Sequence, residues 1–213
     1  MKKFLALFVF CTITILPAFG ISPAIEKAHK ASYQIAQVTV TDRAFCSATA
    51  IGPQALLTAT HCELPDEVVV VRGVGPLDIV ARTRDGNDHT ILLVKGAIFA
   101  DYVDVALDSI QVTDDVFTIG NPGHWKDIYQ RGYVAGVLHQ DDEYVILLDL
   151  QAFPGESGAG IFNPAGKLVA VIASNVPQTE GELQMDLAGA MPLQFSQKDL
   201  DKARAFTTPA EKK

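Results

Sequence analysis

Phe153-Pro-Gly-Glu-Ser-Gly-Ala-Gly160 sets one serine, Ser157, among three glycines. Alone, such a run is common. Its weight comes from an earlier stretch, Leu56-Leu-Thr-Ala-Thr-His-Cys62, in which an apolar run ends on a histidine placed against a cysteine. A serine hydroxyl is a poor nucleophile at neutral pH unless a base lies within hydrogen-bond reach and a third group orients that base. The chemistry also needs backbone N–H groups aimed at the oxygen that becomes negative in the transition state. Glycines beside the serine permit such a turn, because a residue without Cβ adopts unusual φ and admits close approach to the backbone. A histidine, with an ordinary pKa of about 6.5, accepts a proton at neutral pH and returns it to a leaving group.

Around these two stretches the chain reads as short strands broken by turn residues. In the first half the candidates are 33–40, 45–51, 55–59, 66–72, 77–84 and 89–95, with turns at Gly52-Pro53, Gly73 to Pro76 and Asp85-Gly86-Asn87. A less regular stretch with scattered acids, about 96–114, follows. A second set comprises 115–120, 130–138, 143–150, 159–163, 167–174 and 186–192, with turns at Asn121-Pro122-Gly123, Asp141-Asp142 and Asn163-Pro-Ala-Gly166. Six and six predict an all-β fold of two six-stranded antiparallel β-barrels, at about 33–95 and 115–192, since closure removes exposed strand edges. Ser22-Pro23 with an acid in the next turn predicts a short helix to Ala31, and Ser196 caps a short C-terminal helix at about 196–205. Thr207 to Lys213 is polar and is expected to fray.

Residues 1–20 have the layout of a signal peptide: Lys2 and Lys3, an uncharged run from Phe4 to Leu16, Pro17, then Ala18-Phe-Gly20. The run falls short of the ~20 apolar residues that span a bilayer, so cleavage before Ile21 is expected and stable membrane insertion is not. Removing the two lysines leaves 15 basic against 25 acidic residues, a net charge of −10. That balance argues against nucleic acid or an anionic membrane as partner. Of three cysteines, Cys11 leaves with the signal, and Cys46 and Cys62 remain as a pair. In an exported protein, periplasmic or secreted, two cysteines read as a disulfide. His29, His89, His124 and His139 show no metal-ligand spacing and are read as structural or solvated; no metal or organic cofactor is expected.

Three acids compete to orient His61. Asp88 stands at a hairpin turn immediately before the last strand of the first set. Asp104 would demand a seventh strand and falls in the irregular connector, and Asp85 lies further from the strand opening. Strand counting favours Asp88.

Thr58-Ala-Thr-His-Cys62 resembles the Thr-Ala-Ala-His-Cys signature of trypsin-like serine proteases, and Gly155-Glu-Ser-Gly-Ala-Gly160 is similar to their Gly-Asp-Ser-Gly-Gly-Pro. Cys46 and Cys62 match the disulfide those enzymes place beside the catalytic histidine. Ile119-Gly-Asn-Pro-Gly123, Gly132-Tyr-Val-Ala-Gly136 and Phe162-Asn-Pro-Ala-Gly-Lys-Leu-Val169 look more like the compact bacterial branch, including HtrA/Do-type and glutamyl-endopeptidase-like proteases. The likeness covers about 33–192, and no PDZ-like region is expected after it. It implies an endopeptidase acting on protein or peptide substrates. Ser157 would be the nucleophile, His61 general base and then acid, Asp88 the orienting acid, and the N–H groups of Gly155 and Ser157 the oxyanion hole. By position, Gln151 falls at the floor of the side-chain pocket and Ala173, Ser174 and Asn175 along its wall. An uncharged floor gives no reason for selection of Lys or Arg, so a neutral residue is expected.

Glu156 departs from the aspartate that pairs with a newly cut N-terminus in trypsin-like zymogens. The helix-like Pro23 to Ala31 is not the family's glycine-rich start either, so an enzyme active without a second cleavage is expected. Two rival readings exist. One is an inactive protease homologue serving as a binding module, although nothing in the triad suggests inactivation. The other is an esterase, whose triad runs Ser, acid, His on a parallel α/β sheet, against the order and strand pattern found here.

Overall fold

The structure is a computed structural model that describes residues 22–38, 43–62, 68–108, 110–140, 143–180 and 183–208. The expected signal peptide, the Asp141-Asp142 turn and the last five residues of the expected polar tail lie outside the described residues. Strands β1 (Ser32–Val38), β2 (Arg43–Gly52), β3 (Ala55–Ala59), β4 (Val68–Val71), β5 (Gly75–Arg84) and β6 (His89–Lys95) close into an antiparallel barrel in the order β1-β2-β3-β6-β5-β4. Strands β7 (Asp115–Gly120), β8 (Ile128–Gln140), β9 (Glu143–Leu148), β10 (Gly160–Phe162), β11 (Leu168–Glu180) and β12 (Leu183–Pro192) close a second, in the order β10-β11-β12-β9-β8-β7. The fold is all-β, with a helix α1 (Pro23–Ala31) ahead of the barrels and a short helix α2 (Gln197–Ala205) behind them.

Side-chain alternation explains the closure. Along β5, Leu77 and Ile79 point inward while Asp78 and Val80 face solvent, the period-2 pattern of a strand with one wet face. β3 is buried at every position and β6 nearly so, which is why both read as unbroken apolar runs. Leu56, Leu57, Leu77, Ile91 and Leu92 fill the first barrel; Val134, Leu148, Ile161 and Ile172 fill the second. Phe117, Ile119, Phe162 and Leu168, though carried by second-barrel strands, pack with the first barrel's core. The seam between barrels is therefore apolar, at roughly 1.5–3 kcal/mol for each large side chain fully withdrawn from water.

The last hairpin runs further than the sequence suggests. β11 continues to Glu180 and β12 begins at Leu183, beyond the expected strands 167–174 and 186–192. Third-strand support ends at Ala188, where β9 pairs with β12. Beyond it the hairpin is a two-stranded ribbon with open edges, on which a proline costs no ladder bond to a third strand. α2 starts with a capping box: Ser196 Oγ accepts the Asp199 N–H, and the Asp199 carboxylate accepts the Ser196 N–H. No helix among the described residues is long and apolar enough to cross a membrane.

Cys46 on β2 and Cys62, at the end of the 3-10 turn Thr60–Cys62, bring their Sγ atoms to 2.01 Å across a sequence separation of 16. Replacing both with alanine is expected to lower unfolding free energy by about 3 kcal/mol, the loop-closure value for such a span. Equilibrium denaturation of the oxidised protein beside the double variant measures it, and coincident curves would mean that this bond contributes nothing to stability.

Candidate active site

Antiparallel pairing of β3 with β6 sets Ala59 opposite His89, so the turn after β3 lies beside the turn before β6. His61 rides the first turn and Asp88 the second. Asp88 adopts φ of 63°, a left-handed conformation rare outside glycine, which turns its carboxylate back toward β3. Its main-chain oxygen accepts the Thr60 N–H at 2.7 Å, its Oδ1 accepts the His61 N–H at 3.0 Å, and its Oδ2 lies 2.7 Å from His61 Nδ1. Ring and backbone of His61 are thus held by one carboxylate, leaving Nε2 as the ring nitrogen open to another partner.

Both charges respond. The hydrogen bond to the Asp88 carboxylate raises the His61 pKa above its ordinary value of 6.5, outweighing the burial that lowers it. Burial pushes the Asp88 carboxyl up, but hydrogen bonds from the His61 ring and main chain outweigh it and hold the group below its usual range.

Ser157 sits in the tight turn that precedes β10. Glu156 N–H donates to Phe153 O at 2.9 Å, Ala159 N–H to Glu156 O at 2.8 Å, and Gly158 N–H to Ile172 O on β11 at 2.8 Å. The turn leans on the first barrel: Ser157 O accepts the Ser47 N–H at 2.7 Å and lies 3.6 Å from Cys62 Sγ. The serine backbone is therefore packed against the residue next to His61. Gly158, at φ of 87°, makes this possible, since a Cβ there would run into Ser47 O and Thr58 Oγ1. Gly155, at φ of 99°, lies against a loop after β7, where a Cβ would come within 2.6 Å of Gly123 N.

Gln151 is exposed and paired through its main chain with a side chain of β8: Gln130 Oε1 accepts its N–H at 3.1 Å and Gln130 Nε2 donates to its C=O at 3.0 Å. Ala173, half-buried, is the extra residue of a bulge, because the β11–β12 register shifts between Ile172 and Ser174. Ser174 and Asn175 follow it, paired with Gly189 and Ala188.

The other acids are engaged elsewhere. Asp104 pairs with Arg204 of α2. The side chain of Asp85 is fully buried with that of His89, Oδ2 to Nδ1 at 2.7 Å, and also accepts the N–H groups of Asn87 and Gln194. This second Asp–His pair pins the turn carrying Asp88 and gives His89 a structural place. Sequence reading missed three further features. Gln34, buried on β1, donates to Asn121 O and Gly123 O and takes a bond from Arg72, tying the loop after β7 to the first barrel. Glu156 is wholly buried, its carboxylate accepting the Phe153 N–H at 2.9 Å and approached by Gln130 Nε2 at 3.4 Å. Burial pushes its pKa up against both bonds. The third is an apolar groove of about 490 Å³ beside the serine turn, lined by Pro122, Trp125, Ile128, Phe153 and Pro154 among others. Of the three, only Glu156 stood out in the sequence, as a departure from the family's aspartate; its burial and partners did not.

The seam of the two barrels thus carries a histidine, an acid and a serine turn. The family model of the trypsin-like peptidase domain matches residues 46–171, more than half of the chain, and the chain belongs to that family. Among solved structures, the Rv3671c protease from M. tuberculosis in its active form is 16% identical with a TM-score of 0.69, the match covering 99% of this chain and 96% of that one. The HtrA-type protease AlgW with a decapeptide is 17% identical with a TM-score of 0.65, over 84% of this chain and 66% of that one. A serine endoprotease from Yersinia pestis gives 17% and 0.65, over 84% and 65%. At these identities the likeness is one of fold, and the chain spans about two thirds of the length of the HtrA-type structures. No curated protein matches the chain in sequence.

With the His61 pKa raised, the free base is the minority form until pH passes a point above 6.5. The pH profile of kcat/KM, which reports the free enzyme, is therefore expected to rise through an apparent pKa above that value. An inflection below 6.5 would contradict the Asp88 contact.

Proposed function

We propose that this chain is an exported serine endopeptidase that cleaves peptide bonds through an acyl-enzyme formed on Ser157. The observation that carries the reading is the Asp88–His61 pair, Oδ2 to Nδ1 at 2.7 Å, set in the same seam as the serine turn. His61 Nε2 takes the hydroxyl proton as Ser157 Oγ bonds to the scissile carbonyl carbon. The carbonyl oxygen becomes negative and is held by the N–H groups of Gly155 and Ser157; losing one such donor typically costs ~3–4 kcal/mol of transition-state stabilisation. The imidazolium then gives its proton to the departing amine, the C–N bond breaks, and an acyl ester remains. Water enters, His61 removes its proton, and the ester is hydrolysed to the free acid with Ser157 restored.

Gln151 leaves the side-chain pocket uncharged, which favours a neutral residue before the cleaved bond. That AlgW was solved with a decapeptide supports an extended peptide as the substrate form here. Export rests on the leader-like first twenty residues and on Cys46 and Cys62 at bonding distance. Glu156 bears on activation. Its carboxylate already has partners in Phe153 N–H and Gln130, so ordering of the turn does not call for a newly cut N-terminus.

Ser157→Ala is expected to abolish both peptide cleavage and labelling by a fluorophosphonate probe, while an inactive homologue would leave even the wild type unlabelled. Asp88→Asn is expected to lower kcat by a factor on the order of 10⁴, whereas Asp104→Asn leaves it within about twofold because Asp104 is engaged with Arg204. A chain carrying extra residues ahead of Ile21 is expected to match the activity of one that begins there; activity confined to the form with a free Ile21 would refute activation-independent ordering of the turn.

A further inference from the structure

Ser47 follows Cys46 on β2 and is 1% exposed. A buried hydroxyl carries one donor and can accept in return, and Ser47 uses both capacities. Its Oγ donates to Gly155 O at 3.0 Å and accepts the Asn121 N–H at 3.1 Å. Its main-chain N–H donates to Ser157 O at 2.7 Å. A single residue of the first barrel thus holds both residues whose N–H groups are assigned to the oxyanion, together with the loop beside them.

Peptide planarity gives these contacts a direction. The C=O and N–H of a trans peptide point opposite ways, so an anchored oxygen aims the N–H across the plane. Pro154 O accepts the Gly123 N–H at 3.0 Å, which sends the Gly155 N–H away from the loop after β7. Gly155 O, turned toward Ser47, sends the Glu156 N–H the other way, where Phe153 O takes it at 2.9 Å. Through Asn121 the hydroxyl also steadies the loop to which Pro154 is tied. Gly155, left-handed and without Cβ, has no side chain of its own to set the orientation of either peptide.

We propose that Ser47 is a positioning residue of the oxyanion turn, its hydroxyl orienting from the first barrel the N–H donors carried by the second. The proposal rests on the peptidase reading given above. A group that aims donors at a developing charge acts on the transition state and leaves substrate binding nearly untouched.

Ser47→Ala adds no volume and keeps the main-chain bond to Ser157. It is expected to lower kcat by roughly ten- to a hundredfold with KM within about twofold. The inhibition constant of a peptidyl trifluoromethyl ketone, whose hemiketal oxyanion needs the same donors, is expected to weaken in proportion to the loss in kcat/KM. A kcat/KM within about twofold of wild type, a loss carried by KM, or an unchanged inhibition constant would overturn the proposal. Should Ser47→Ala not fold, Ser47→Thr, which keeps the hydroxyl, and Ser47→Cys, a weaker donor, carry the comparison: higher kcat for threonine supports it and equal values overturn it. If the wild type neither cleaves peptide nor takes the fluorophosphonate, the peptidase reading has failed on its own. The Gly155 and Asn121 amide resonances, which need no turnover, then decide: displaced signals in the Ser47 variant support the hydroxyl contact, and unmoved ones overturn it.

Discussion

Gly158 rests directly on Ser47 O and Thr58 Oγ1, and the rest of the site depends on that contact. The missing Cβ lets a turn of the second barrel settle onto the strands of the first at main-chain distance. Three segments meet there: β2 through Ser47, the end of β3 through Thr58 and Cys62, and the serine turn. Thr58 Oγ1 closes the node by donating to Ser47 O at 2.7 Å. The apolar seam of Phe117, Ile119, Phe162 and Leu168 holds the barrels together, but it has no directional preference. Register between the proposed base and nucleophile comes from the hydrogen bonds at the node.

Two Asp–His pairs meet at one hairpin, Asp85 with His89 inside it and Asp88 reaching across to His61, and their surroundings separate their roles. The side chains of Asp85 and His89 are wholly withdrawn from solvent, and the Asp85 carboxylate is further committed to main-chain donors. A pair so enclosed offers nothing to a substrate. The His61 and Asp88 side chains are 45% and 27% exposed, accessible enough to exchange protons yet enclosed enough for their hydrogen bond to move both pKa values. The buried pair braces the turn that carries the accessible one, since Asp85 accepts the Asn87 N–H immediately before Asp88 and the Gln194 N–H from beyond β12.

Strand existence was legible where burial is one-sided or complete. The alternation of β5 and the unbroken apolar runs of β3 and β6 led to a count of six, and that count also separated Asp88 from Asp104. The ribbon of β11 and β12 was not legible beyond residues 174 and 186, because a proline such as Pro177 is tolerated in a strand only where, as among the described residues here, no third strand pairs alongside. Glu156 had a family precedent as a position but none for its partners: Gln130 is 26 residues away, and nothing in the local pattern links them.

The amino-acid sequence by itself determined how many strands each barrel holds and which residues are proposed to carry chemistry. Both follow from local facts: side-chain type, period-2 burial, and glycines at turns that require positive φ. Only the tertiary structure decided how those residues are aimed. The clasp of Gln34 on the loop after β7, the approach of Gln130 to the buried Glu156 and the double engagement of the Ser47 hydroxyl each join positions tens of residues apart. Such bonds arise once closure has brought their segments together, because a polar group enters a buried seam at low free energy only if a partner is already there.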